Sequence, residues 1–144
     1  MLTKTTKILK EKIQPKWYIV DASGKILGRL ATVISGIIRG KNKPTFSPHQ
    51  VQGDFVIVIN ASKIIVTGKK LRQKKYYHHS GYPGGLKEEG LRSLLERRPT
   101  EVVRRAVWGM LPKNRLRKEI IKKLKIFAGP DHPYTAQKPE KIKL

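Results

Sequence analysis

Hydrophobic spacing changes several times along the chain, and each change marks an element. Trp17-Tyr18-Ile19-Val20 is a short apolar run of aromatic and β-branched residues, which predicts a buried strand. Asp21-Ala22-Ser23-Gly24 supplies turn chemistry, with Gly24 making the turn. From there Ile26, Leu27, Leu30, Ala31, Val33, Ile34, Ile37 and Ile38 recur at helical spacing, so an amphipathic helix is predicted to end at Gly40. Gly28 is expected to permit close packing of this helix on a sheet. Phe55 to Ile59 is a second fully apolar strand, bounded by Gly53-Asp54 and Asn60-Ala61. Strand, helix and strand in about 45 residues is the rhythm of a parallel sheet covered by helices.

Beyond it, Ile64-Ile65-Val66-Thr67-Gly68 is expected to continue the β-rich region. Tyr76-Tyr77-His78-His79 suggests a further strand after a basic bend, followed by a Gly/Pro-rich loop from Ser80 to Gly85. Leu91, Leu94 and Leu95 mark a short helix that stops before Pro99. Thr100 is the expected cap of the next helix, with Glu101 favourable in its first turn. That helix carries Val102, Val103, Ala106, Val107 and Met110 as its stripe and ends at Pro112. Leu116, Ile120 and Leu124 are expected on the inner face of another helix, which leads into a strand at Ile126-Phe127. The organisation is thus a basic N-terminal arm (1–15), an α/β core with basic loops (16–128) and an irregular basic tail (129–144).

Composition narrows the function. The 144 residues carry 32 Lys+Arg against 10 Asp+Glu, a formal charge of +22, and no Cys. The absence of Cys removes disulfides, thiolate metal sites and Cys nucleophiles. No apolar run approaches a membrane span, and the basic N-terminus lacks the apolar core of a secretory signal. So high a charge repels itself, and a polyanion relieves the repulsion. Nucleic acid is the leading partner, since each neutralised phosphate releases condensed counterions; an anionic membrane surface and a partnerless solubility device are the other readings. Only 11 of the cations lie in residues 1–68, so the second half supplies more of the electrostatic surface.

The densest cluster is Lys69, Lys70, Arg72, Lys74 and Lys75, directly followed by Tyr76, Tyr77, His78, His79 and, past Gly81, Tyr82. Cations there match phosphates, while the rings suit stacking on unpaired bases or bonding to ribose. Gly81, Gly84 and Gly85 would let backbone approach a phosphate ridge. Tyr76 and Tyr77 alternate across a strand, so one of the two is expected in the core. A second cluster holds Lys113, Asn114, Arg115, Arg117, Lys118, Lys122, Lys123 and Lys125 with only Glu119 between them; Arg115, Lys118 and Lys122 are expected to share a solvent side. Lys41 and Lys43 add a basic loop. Arg97-Arg98 and Arg104-Arg105 lie among Glu88, Glu89, Glu96 and Glu101, where internal pairing competes with RNA contact. Trp108 falls off the main apolar stripe, under a loop or against a partner.

Enzyme readings fare poorly. A phosphate-binding loop would need Gly at position 19 and Ser or Thr at 26, where the chain has Ile19 and Ile26. The dinucleotide fingerprint is absent too. His78 and His79 point to opposite faces of a strand and lack companion ligands, so neither metal nor cofactor is expected. Glu11, Asp21 and Asp54 are the only carboxylates before position 88, too few for acid–base pairs. The remaining alternatives are an RNA- or DNA-binding regulator or chaperone with a free, soluble pool, and a nucleotide-using enzyme.

These segments also carry a resemblance. Trp17-Tyr18-Ile19-Val20-Asp21-Ala22, Gly28-Arg29-Leu30-Ala31, Gly53-Asp54, Asn60-Ala61 and Val66-Thr67-Gly68 resemble the thirteenth protein family of the large ribosomal subunit. So do Tyr76-Tyr77-His78-His79-Ser80-Gly81, Ala106-Val107-Trp108-Gly109-Met110-Leu111-Pro112, Lys123 to Gly129 and His132-Pro133. The similarity spans about residues 15 to 140 and looks like the bacterial or plastid branch. It implies a single three-layer α/β/α domain around a small, mostly parallel four-stranded sheet, with basic loops and extended termini. It further implies a non-enzymatic constituent of the large subunit in cytoplasmic or plastid ribosomes. Its partners would be large-subunit ribosomal RNA, bound early in assembly, and neighbouring ribosomal proteins, with neither membrane nor small-molecule substrate. The RNA-facing segments would be Lys69 to Gly85 and the stretch after Pro112.

Overall fold

The computed structural model describes residues 14–142; most of the N-terminal arm lies outside them. Strands β1 (Trp17–Asp21) and β2 (Phe55–Ile59) pair in parallel, Trp17 opposite Phe55 and Asp21 opposite Ile59. The helix between them, α1 (Leu27–Arg39), makes the crossover. It stops because Gly40, at φ +79°, turns its N–H back onto the carbonyls of Gly36 and Ile37. After β2 come α2 (Lys70–Gln73), β3 (Lys75–His79), β4 (Leu86–Gly90), α3 (Leu91–Arg97), α4 (Pro99–Met110) and α5 (Arg117–Ile121). Strand β5 (Leu124–Ile126) then pairs in parallel with β2, and β6 (Glu140–Lys141) with β1, giving the order β5-β2-β1-β6.

Alternation along the strands separates two faces. Val20, Val56, Val58 and Leu124 join Leu30, Ile34, Ile38, Leu91, Leu94, Val102 and Val107 in one buried cluster under the helices. Full burial of a Leu or Ile side chain stabilises by about 1.5–3 kcal/mol, so this cluster dominates the fold's stability. The opposite face carries Ile19 and Ile57, both buried, and Trp17 stacked on Phe55 at 4.3 Å between ring centroids. Tyr134 lies on Trp17 at 5.3 Å. This third layer is the returning segment after β5, with a single 3-10 turn at Thr135–Gln137 rather than a long helix.

Four local expectations need correction, and one strand has no counterpart among them. Ile64 to Gly68 adds no strand: β1 and β5 already occupy both edges of β2, so only Ile65 bridges, to Ile26. Leu86–Gly90, whose Lys87-Glu88-Glu89 reads poorly as β, forms β4 because β3 offers it an antiparallel partner. Pro99 opens α4, its missing N–H costing nothing there, and Thr100 lies inside the helix instead of capping it. Helix α5 is short, and Leu124 already belongs to β5. The tail is not wholly irregular, since Glu140–Lys141 joins the sheet and Ile142 N–H donates to the Ile19 carbonyl at 3.0 Å.

Candidate nucleic-acid interface

The basic bend becomes α2 and the root of the β3–β4 hairpin. Lys69, Lys70, Arg72, Lys74 and Lys75 are all exposed. Lys69, Lys70 and Arg72 have no carboxylate within ion-pair distance among the described residues, whereas Lys75 meets Glu88 at 3.0 Å. That contact raises the Lys75 pKa, first through the hydrogen bond and then through the charge of Glu88. Lys74 lies over the Tyr76 ring, 5.4 Å from its centroid.

Strand alternation divides the two tyrosines. Tyr76 turns to the body of the protein, packs against the core cluster and takes Arg105 over its ring at 5.0 Å. Burial raises its pKa, opposed by Arg105 and reinforced by Glu101. Tyr77 turns the other way and is 63% exposed; Tyr82, in the loop, is 76% exposed. Leu86, exposed, stands opposite His79 on the Tyr77 side of the hairpin. His78 and His79 are exposed, and His79 Nδ1 accepts the Gly81 N–H at 2.9 Å, which shapes the loop. Of the two alternating tyrosines Tyr76, a candidate RNA-contact residue by sequence, is thus the one in the core, and Tyr77 is the outward ring.

In the second cluster Lys113, Asn114, Arg115, Lys118 and Lys122 are exposed, as the spacing implied, with Lys122 paired to Glu119 at 2.9 Å. Asn114 Oδ1 accepts the Arg117 N–H at 3.1 Å and shapes the start of α5. Arg117 turns inward instead, over the Trp108 ring and onto the Trp108 carbonyl. Lys41 is exposed, but Lys43 points into the protein, its Nζ 2.5 Å from Asp54 Oδ1 and 3.1 Å from the Gln52 carbonyl. Lys123 Nζ, on the Gly53 carbonyl, joins this knot. Burial lowers its pKa; the Lys43 charge does too, and Asp54 opposes both. The third patch pairs internally in part: Arg92 with Glu96, Arg97 with Glu89 and Arg105 with Glu101.

Packing of α1 against α4 joins these patches. Two grooves meet at Thr32 and Met110, whose Oγ1 and Sδ lie 3.4 Å apart. One is flanked by Arg29, Lys70, Lys74 and Arg105, the other by Arg39 and Lys41. Sequence reasoning overlooked Arg29 and Arg39, and left Arg105 between internal pairing and RNA contact. The signal was available for the first two: Arg29, Thr32, Gly36 and Arg39 recur at three- and four-residue spacing along one face of α1. Among the described residues no group of three or more His, Asp or Glu is placed to hold a metal ion, and no helix is long and apolar enough to cross a membrane.

The arrangement is a cationic surface with exposed rings on an α/β platform, and similar chains are known. The family model for ribosomal protein L13 matches residues 15–133. The large ribosomal subunit protein uL13 of Aquifex aeolicus is 59% identical over 141 residues, 98% of this chain and 98% of its own. That of Thermotoga petrophila is 57% identical over 141 residues, covering 98% and 95%. The Symbiobacterium thermophilum protein is 52% identical over 143 residues, covering 99% and all of its own length.

Proposed function

The chain belongs to the ribosomal protein L13 family, a family of structural and non-enzymatic constituents of the large ribosomal subunit, and from that premise we propose that it binds large-subunit ribosomal RNA directly, early in assembly, and holds its fold. The observation that carries this reading is the cluster of exposed Lys69, Lys70 and Arg72, without carboxylate partners among the described residues, beside the exposed rings of Tyr77 and Tyr82. Cations neutralise phosphates where RNA strands crowd together, and the rings and backbone N–H groups fix register. Selectivity comes mainly from RNA shape, because A-form grooves hide base edges from side chains. Lys74, Lys75, His78, His79, Lys41, Lys113, Asn114, Arg115, Lys118 and Lys122 extend the same contact surface. Neighbouring subunit proteins complete the environment, in bacterial-type cytoplasmic ribosomes.

The test is binding of the purified chain to deproteinised large-subunit RNA across a salt series. Replacing Lys69, Lys70, Lys74 and Lys75 by Ala is expected to weaken binding and flatten the slope of log K against log salt. The slope change is about 0.9 per lost duplex phosphate contact, or about 0.7 on a single strand. An unchanged slope removes α2 and the hairpin root from the interface. Binding that appears only after other subunit proteins are added would refute the early-assembly role.

A further inference from the structure

The groove between the start of α1 and the end of α4 has a volume of about 660 Å³, within the range of sites that bury a small organic group. Ile26, Val66, Leu91 and Ala106 give it an apolar lining, and Arg29, Lys70, Lys74 and Arg105 stand around it. Arg105 shares its charge with Glu101, but Arg29 and Lys70 have no ion-pair partner among the described residues. Four cations around one concavity concentrate positive potential there.

Two glycines keep the space open. Gly28 in α1 and Gly109 in α4 both line the groove, although glycine is a poor helix former. Neither has a positive φ, and a Cβ built at either meets no atom within 4 Å. The close packing expected at Gly28 is therefore not what the glycine serves. What a side chain at either position would take up is volume in the groove.

We propose that this groove seats one unpaired nucleotide of the bound RNA. Its base lies on the apolar lining, and its flanking phosphates meet Arg29 and Lys70. Unpaired bases splayed out of a fold are the parts of RNA that a protein pocket can enclose, and an apolar site with a cationic rim matches their two-sided chemistry. The inference rests on the RNA-binding reading above and adds a site to it.

Gly28→Leu and Gly109→Leu fill the groove from opposite walls without removing a cation. With full chain and deproteinised large-subunit RNA as the probe, each is expected to bind about tenfold more weakly, the loss of one base's burial against the apolar lining. The salt slope is expected to change by less than in the Lys69, Lys70, Lys74 and Lys75 variant. Dimethyl sulfate probing of the wild-type complex is expected to show protected unpaired bases that regain reactivity with either filled variant. A photocrosslinking residue at Met110 is expected to join RNA in assembled subunits. The groove is overturned if both filled variants bind as the wild type does with the same bases protected, or if the crosslink runs to a protein. Failure of the wild type to bind RNA instead sinks the function and this site together.

Discussion

Arg117 lies over Trp108, its guanidinium carbon 4.0 Å from the ring centroid, and it also donates to the Trp108 carbonyl. Leu111 draws on that carbonyl too, with its N–H 3.3 Å away, so Arg117 helps satisfy the last turn of α4 where Pro112 ends the helix. One side chain thus ties the end of α4 to the start of α5. Arg117→Ala is expected to lower stability by about 1–2 kcal/mol, from a partly desolvated cation–π contact and a lost cap. Thermal unfolding measures this. RNA salt slope, read by filter binding, is expected to change less than in Arg115→Ala, whose side chain is exposed.

Asp54 is fully buried, and its Oδ1 accepts from the Lys43 ammonium and, at 2.8 Å, from the Lys16 N–H. Burial first, and the nearby Lys43 charge second, depress the Lys123 pKa. Removing the carboxylate leaves the largely buried Lys43 ammonium without its ion-pair partner, near a second, half-buried cation. Asp54→Ala is expected to cost about 3 kcal/mol, the usual penalty for orphaning one member of a buried pair. Adding Lys43→Met should restore part of that loss, so denaturant unfolding of the four-member cycle is expected to be clearly non-additive. Additive costs would mean that Lys43 and Asp54 do not depend on one another.

Much of this was readable in the chain. Long periodic segments such as Leu27 to Ile38, and unbroken apolar runs such as Phe55 to Ile59, declare their elements because burial on one or both faces leaves a direct mark. Leu86–Gly90 leaves none: its strand exists only because β3 lies beside it, and pairing is not a property of the segment alone. The site shows the same divide. Density of charge pointed to α2 and to residues 113–122, but charge counting cannot show that Lys43 and Arg117 spend theirs inside the protein. Nor can it show that Arg29 and Lys70, 41 positions apart, border one groove.

The two adjacent tyrosines offer a separation of roles. Tyr76→Ala removes a ring packed on the core and held under Lys74 and Arg105, so it is expected to destabilise by about 3 kcal/mol, the low end for a large aromatic. Tyr77→Ala removes an exposed ring and is expected to change stability by less than about 0.5 kcal/mol. RNA affinity at fixed salt is expected to fall severalfold for Tyr77→Ala, through loss of one base stack. Equal affinities of Tyr77→Ala and wild type would remove Tyr77 from the contact surface.

Acid is expected to loosen the turn after β1. Asp21 Oδ1 accepts the Ser23 N–H and the Asn60 amide, both at 2.9 Å, and these bonds hold its pKa below the ordinary 3.8, against a small desolvation penalty. A carboxylate with a depressed folded pKa contributes stability that is fully present above the unfolded value and is lost as pH falls through the folded one. The wild type is therefore expected to lose part of its advantage over Asp21→Asn only below about pH 4. Thermal melts of the two proteins between neutral and acid pH measure the difference, and a gap that stays constant would show that these bonds do not favour the charged form.

Glycines in this chain divide into those that must be small and those that leave room. At Gly53 a Cβ would lie 1.8 Å from the Ile38 carbonyl oxygen, backbone against backbone, where α1 ends against the approach to β2. No rotamer relieves that overlap, so Gly53→Ala is expected to displace the α1 terminus and cost about 3 kcal/mol or more. Gly28→Ala and Gly109→Ala place a methyl group in open space on a helix. They are expected to stabilise the free protein by about 0.5 kcal/mol through reduced freedom of the unfolded chain. Chemical denaturation of the three variants beside the wild type gives the comparison: one midpoint well below it and two slightly above. If Gly28→Ala or Gly109→Ala instead destabilised the free protein, the space beside it would be needed by the fold itself, and the case for a reserved nucleotide seat would lose its footing.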